Sequence, residues 1–367
     1  MHMADALLSP AVGVSFYAVS AGILALAARR TASEPGFDRL RPLMGVLGAF
    51  VFAAQMINFA IPGTGSSGHL GGGLLLALLL GPYAAFLTIA SVLIIQCLFF
   101  ADGGLLALGC NIFNMGFWPA FVGLPLIRLV TGGQRSFGRL LAGTLPVAVL
   151  CLLLGAFGVV IETLLSGRTE LPFSVFSLTM LGIHAPIGIV EGLVTASVVA
   201  AIDRLIPALT RTGDAVPMTT SSRTTALVTL FGCALFAGAV LAWFPSSKPD
   251  GLEWSIGKVT GKDELPEQEG AFTHALKSIQ NTLAFMPDYD FTPSSGNPSV
   301  GSAGAEGVAA DPASEADPAW PNVSGGTSAA GAVGAGLTAV LILLGAWGIT
   351  AWGRIRGRHP DRVARVT

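Results

Sequence analysis

The chain has 367 residues, 52% of them hydrophobic and only 11% charged, with a formal net charge of −2. A soluble domain carries roughly 25% charged residues, so most of this chain is built for a surround in which charge is costly. The nearly balanced charge leaves a nucleic-acid partner without electrostatic support.

Apolar runs of about 20 residues mark membrane-crossing helices. In chain order they fall at 10–28, 43–61, 70–81, 83–101, 109–130, 140–166, 173–202, 222–244 and 331–352. They predict an all-α, polytopic transmembrane bundle of about seven helices, plus two flanking a hydrophilic segment. The third run is short and ends at Gly81-Pro82. It reads either as a half-span or as continuous with the fourth. Pro186 predicts a kink in the seventh. The first run reads as a span ahead of the alternative of a signal peptide, for which Ala25-Leu26-Ala27 resembles a cleavage site, because Arg29 and Arg30 follow it and no Lys or Arg precedes it, the reverse of a signal peptide's charge order. Ala18, Ala21, Gly22 and Ala25 give this run small-xxx-small spacing, which predicts internal packing first and a partner helix second.

Orientation follows from retention of positive charge on the cytoplasmic side. With the N-terminus outside, Arg29, Arg30, Arg39, Arg41, Arg128, Arg135, Arg139, Arg204, Arg211, Arg223 and the tail with Arg354, Arg356, Arg358, Arg362 and Arg365 all fall inside. Only Arg168 of the sixteen arginines is left outside. The hydrophilic stretch 245–330 then lies outside. Its amphipathic part, 245–291, predicts folded pieces such as Ala271 to Phe285. Its part 292–330, rich in Gly, Ser, Ala, Pro and acid, predicts a linker. The basic tail predicts an anchor at the headgroups of membrane lipids. Cys97, Cys110, Cys151 and Cys233 sit in apolar runs without a CxxC pair and read as buried hydrophobes.

The chemistry begins at the terminus, Met1-His2-Met3. A histidine in second place is too large for the usual removal of methionine, so a free amine is expected on Met1. That amine and the His2 amide nitrogen close a five-membered ring on a metal. The amide nitrogen and His2 Nδ1 close a six-membered ring. Three coplanar nitrogens with an open fourth position suit Ni(II) or Cu(II). The metal displaces the amide proton, so affinity is expected to fall in acid. His69, in Pro62-Gly-Thr-Gly-Ser-Ser-Gly-His69, is the candidate fourth ligand, because the topology puts its loop on the same face. Ser66 and Ser67 are candidates to orient its ring.

Four stretches carry a resemblance: residues 1–10 (MHMADALLSP), 61–72 (IPGTGSSGHLGG), 96–116 (QCLFFADGGLLALGCNIFNMG) and 184–193 (HAPIGIVEGL). Together they resemble the membrane substrate-binding subunit of cobalt/nickel energy-coupling-factor transporters, the CbiM/NikM family. The resemblance implies a seven-helix body over 1–210 and metal held by Met1, His2 and His69. Nickel or cobalt would be transported substrate, with no bound cofactor. Pro249-Asp250-Gly251-Leu252-Glu253 resembles the PDGLE-type, CbiN/NikN-like accessory region, so 211–367 reads as that region fused on. The implied partners are a transmembrane coupling subunit (CbiQ/NikQ-like) and ATPase subunits (CbiO/NikO-like) in a bacterial or archaeal cytoplasmic membrane. Met3 stands where Ile is common in that family, and only its backbone is expected to matter.

Other residues enter with open roles. Gln55 and Asn58 are expected to shape the site. Asp102 is expected to attract the cation or to bond the loop at Asn111 and Asn114, the latter first. Glu162, His184 and Glu191 are intramembrane ionisable groups. His184 and Glu191, seven apart on one helix face, read as a buried hydrogen-bonded pair or as part of an exit path. His274 and His359 read as solvated. No GxxxxGK[ST] phosphate loop is present, and Gly257 to Lys262 lacks its spacing, so the chain is not expected to be an enzyme or to hydrolyse ATP by that route. The rival readings are a stand-alone divalent-cation permease or channel, an intramembrane metalloenzyme, which lacks an HExxH pair, and a metal sensor, which lacks an output domain.

Overall fold

The computed structural model describes residues 2–34, 36–134, 136–168, 171–205, 220–262, 265, 270–291 and 320–357. The chain is an all-α transmembrane bundle. Its helices are α1 Pro10–Ala32, α2 Phe37–Gln55, α3 Gly73–Leu80, α4 Pro82–Phe100, α5 Leu108–Thr131, α6 Phe137–Ser166, α7 Phe173–Leu205, α8 Thr220–Ala239, α9 Gly251–Thr260, α10 Ala271–Leu283 and α11 Gly325–Gly357. Seven of them, among the described residues, are long and apolar enough to cross a membrane: α1, α4, α5, α6, α7, α8 and α11.

Every predicted apolar run contains a helix, but two runs are used differently. The run 43–61 is helical only to Gln55. Its last apolar residues, Phe59–Ile61, form strand β1, which pairs antiparallel with β2, Ser66–Gly68. The third run is a separate eight-residue helix, α3, divided from α4 by Gly81 at φ +81°. At 1.5 Å per residue it is about 12 Å long, too short to cross a hydrocarbon core of about 30 Å alone. Helix α5 passes through a π-helical stretch, Phe113–Gly123, around Pro119, whose missing N–H cannot serve an ordinary helical turn. Helix α7 runs through Pro186 without interruption.

Helices α8 and α11 pack against α2 and against each other. Glycines set the spacing. A Cβ on Gly48 would lie 2.2 Å from Ile342, one on Gly334 2.0 Å from Phe52, and one on Gly331 2.1 Å from the Gly238 carbonyl. Such contacts drive association where lipid offers no hydrophobic contrast. At the other end from the site below, Arg41 donates to Thr350 at 3.1 Å and ties α2 to α11.

Three expectations are corrected. Ala18, Ala21, Gly22 and Ala25 are exposed, and nothing lies within 4 Å of a Cβ on Gly22, so the stripe is not used for internal packing. Cys97, Cys110 and Cys151 are buried, but Cys233 on α8 is exposed. The Met3 side chain matters as well as its backbone, because it is fully buried with Leu7 and Leu8 in the core. Part of the linker (292–319), His359 and most of the basic tail lie outside the described residues. His274 is exposed, as expected.

Candidate metal site

The segment before α1 is pinned by main-chain chemistry. Met3 N–H donates to Asn111 Oδ1 at 2.8 Å, and its carbonyl accepts from Asn111 Nδ2 at 3.3 Å and from Gly104 N at 2.9 Å. Asp5 Oδ1 accepts from Ala107 N at 3.0 Å. Ser9 caps α1 by accepting from Val12 N at 3.4 Å, ahead of Pro10. His2 is thus held beside the loop that follows α4. Met1 lies outside the described residues.

His69 arrives from the other side. Strands β1 and β2 are joined by Pro62-Gly63-Thr64-Gly65, with Gly63 and Gly65 at φ +76° and +81°. Thr64 Oγ1 donates to the Ile61 carbonyl at 2.8 Å and closes the turn. Gly68 lies so close to α7 that a Cβ would sit 2.6 Å from Ile187. Beyond His69, Glu191 accepts the N–H groups of Gly71 (2.8 Å) and Gly72 (2.9 Å), and Gln55 Nε2 donates to the Gly71 carbonyl at 2.8 Å. One carboxylate and one amide thereby fix the chain as it descends into α3.

The two imidazoles meet. Their ring centroids are 5.1 Å apart and their planes differ by 22°. His69 Nδ1 lies 3.1 Å from the Leu70 carbonyl, which makes Nδ1 the protonated nitrogen. The His69 Nε2 lone pair is buried without a hydrogen-bond partner. His2 Nδ1 lies 3.3 Å from Asp102 Oδ1, and its Nε2 lies 3.3 Å from Gln96 Oε1. Burial holds His2 below its ordinary pKa and lowers that of His69 to about 3. Both rings are neutral near pH 7, the form that binds metals. Among the described residues no group of three or more His, Cys, Asp and Glu is placed to hold a metal ion.

The accessory region closes over this end in two places. Ser67 N donates to the Pro249 carbonyl at 2.8 Å, Ser67 Oγ to the Lys248 carbonyl at 2.8 Å, and Ser66 Oγ to the Pro249 carbonyl at 3.2 Å. Trp254 Nε1 donates to the Thr64 carbonyl at 3.0 Å. The PDGLE stretch is a helix start: Asp250 Oδ1 accepts from Leu252 N and Glu253 N, while Glu253 Oε2 accepts from Asp250 N. Gly251 fits because a Cβ there would stand 3.1 Å from His184 Cε1. Further on, Gln280 Nε2 donates to the Cys97 (3.0 Å) and Gly103 (2.8 Å) carbonyls, and the Tyr289 hydroxyl donates to Asp102 Oδ2.

Several sequence readings change. Ser66 and Ser67 bond the accessory region rather than a histidine ring. Asp102 faces His2 and Tyr289, while Asn111 serves Met3 and Asn114 donates to Glu162 Oε2 at 2.9 Å. His184 and Glu191 do not pair: His184 Nδ1 bonds the Met180 carbonyl of its own helix at 2.7 Å, and Glu191 holds the His69 loop. Asn58 contributes its carbonyl, which accepts from Ser246 N at 2.8 Å. Glu191 and Asn114 line one cavity of about 20 Å³ with Gly71 and Gly73, enough for about one water. Asp5, Gln96, Gln280 and Tyr289 were missed. Their partners lie far along the chain, and no spacing signals them.

The family model described as a cobalt uptake substrate-specific transmembrane region matches residues 2–209, and a PDGLE domain model matches 224–351. The chain is 39% identical over 202 residues to a putative fused nickel transport protein NikMN of Archaeoglobus fulgidus, covering 55% of this chain and 65% of that one. It is 38% identical over 198 residues to a putative metal transport protein of Haloquadratum walsbyi, covering 54% of this chain and 88% of that one. A crystal structure of a transition metal transporter aligns at 32% identity and a TM-score of 0.49, over 56% of this chain and 93% of that one.

Proposed function

This chain belongs to the cobalt uptake substrate-specific transmembrane family, and from that membership we propose that it is the metal-capturing component of an uptake transporter for nickel or cobalt. The ion is bound by the Met1 amine, the His2 amide nitrogen, His2 Nδ1 and His69 Nε2. The observation that carries this reading is the buried, unpartnered His69 Nε2 on a ring that stacks against a neutral His2 whose backbone is anchored next to the terminus. A buried lone pair left unbonded is costly unless something arrives to use it.

The sided distribution of arginine supports an N-terminus outside and a C-terminus inside, with capture at the outer face. The chain has no phosphate loop of its own, which supports ATPase subunits acting through a transmembrane coupling subunit. The exposed small-residue stripe on α1 supplies a face on which such a helix could pack closely. On this reading 1–210 carries the ion and 211–367 closes over it. On the same reading the intramembrane groups Glu162, His184 and Glu191 are assigned to the path by which the ion would leave.

Three alanines added before Met1 test the ligand set. They carry the amine too far from His2 for fused five- and six-membered chelate rings that include it, whereas a single added residue would create a new planar chelate with the histidine in third place. Purified wild-type protein should retain about one nickel or cobalt ion per chain and the extended protein should lose it. Equal retention would overturn the reading. Co-purification of ATPase subunits with the chain separates the transporter component from a stand-alone permease.

A further inference from the structure

The Tyr289 hydroxyl, the Asp102 carboxylate and the His2 ring form a continuous line from the accessory region to the terminus. Tyr289 reaches Asp102 across 187 residues of sequence. Its placement is built rather than incidental. Asp288 and Tyr289 adopt φ +53° and +60°, the left-handed region that bulky residues rarely enter. The Tyr289 ring stacks on Phe100 at 5.0 Å between centroids and meets Phe52 edge-on at 6.1 Å. Asp102 is presented by a matching irregularity, Ala101 at φ +55°, which ends α4 while Asp102 N–H bonds the Gln96 carbonyl. Two strained backbones persist where surrounding structure holds them, and both serve one hydrogen bond.

As it stands, His2 turns Nδ1 to Asp102 and Nε2 to Gln96. A chelate with the backbone needs Nδ1. A half-turn about Cβ–Cγ carries Nδ1 to the opposite ring edge and brings Nε2 to the place now held by Cε1, beside the same carboxylate. The ligating imidazole would then donate its other N–H to a carboxylate, the usual arrangement around a metal. We propose that Tyr289 is a positioning residue for ion binding: it orients Asp102, which orients the His2 imidazole in the metal plane, so the accessory region sets how tightly the ion is held. This rests on the terminal-chelate reading above.

The test compares wild type, Y289F, D102N and the double variant as full chains, by nickel titration, nickel release rate and the Ni(II) ligand-field absorption. Y289F keeps both ring contacts and loses only the hydroxyl. Its nickel affinity should fall about tenfold, at the low end for such outer partners. Release should quicken and the absorption band should shift. D102N should lose more, and Y289F added to D102N should cost nothing further, because the two act through one line. A merely structural tyrosine would leave the band unmoved and its loss would add to that of D102N. Either result overturns the proposal, as does wild-type affinity in Y289F. If Y289F fails to fold, D102N with unchanged affinity and band overturns it alone. Insensitivity of binding to the three added alanines overturns the underlying chelate instead, so the two failures are distinct.

Discussion

The accessory region grips the site end at two places that differ in kind. At Lys248–Trp254 the accessory region offers mostly main-chain acceptors: the carbonyls of residues 248 and 249 receive the Ser67 N–H and the hydroxyls of Ser66 and Ser67, and Trp254 reaches across with its own side chain. At Gln280–Tyr289 one main-chain bond, from Met286 N to the Phe99 carbonyl at 3.3 Å, is joined by two donating side chains, the buried Gln280 on the Cys97 and Gly103 carbonyls and the half-buried Tyr289 on Asp102. Main-chain acceptors at 248 and 249 tolerate many side chains at those two positions provided the backbone can come close. A side-chain dock is broken by one substitution. The first grip therefore holds the His69 hairpin by shape, and the second holds the His2 surroundings by chemistry.

The comparison is sharpest where both sides of the His69 loop are tested. Glu191→Ala leaves the Gly71 and Gly72 N–H groups buried without partners, at about 1–3 kcal/mol each. It should lower the thermal midpoint in detergent more than any change in the accessory region. If it does not, the loop is held chiefly by residues 248–254. Next comes Gln280→Ala, which strips two carbonyls of a shared donor and should cost about 1–3 kcal/mol. Ser67→Ala should cost about 1 kcal/mol, because its N–H still reaches the Pro249 carbonyl. Equal losses for Gln280 and Ser67 would erase the distinction drawn here. Asp250→Ala, which removes the cap of α9, should also cost about 1 kcal/mol and show as lost helicity.

A separate test is in pH. The folded state holds His69 neutral down to about pH 3, whereas an unfolded histidine takes a proton near 6.5. Between these values the unfolded chain binds more protons, so stability falls as pH drops from 6.5 toward 3. His69→Gln should flatten the slope of the thermal midpoint across that range, and an unchanged slope would show that His69 is not its source.

The spans were legible because hydrophobic length is a local property, and each predicted run does contain a helix. The ends were less so. Phe59–Ile61 is apolar because it packs as a strand, and nothing in composition separates that from the last turn of a helix. His2 and His69 were legible because topology alone put them on one face. Their neighbours were not. Ser67 and Pro249 are 182 residues apart, Gly71 and Glu191 are 120 apart, and Asp102 and Tyr289 are 187 apart. Such pairs are chosen by tertiary packing, to which single-sequence spacing is blind. The same blindness explains why His184 and Glu191, correctly placed on one helix, were paired with each other rather than with the partners they hold.

The unpartnered Nε2 of His69 has a consequence for selectivity if the proposed ligand set holds. An ion taken up there would exchange part of its water shell for nitrogen, so discrimination would start with reluctance to dehydrate rather than with radius. Magnesium, tenacious of its water, would be turned away at that step. Late first-row ions exchange water for nitrogen on favourable terms. On the proposed reading, hydration chemistry would sort ions before ligand geometry is judged.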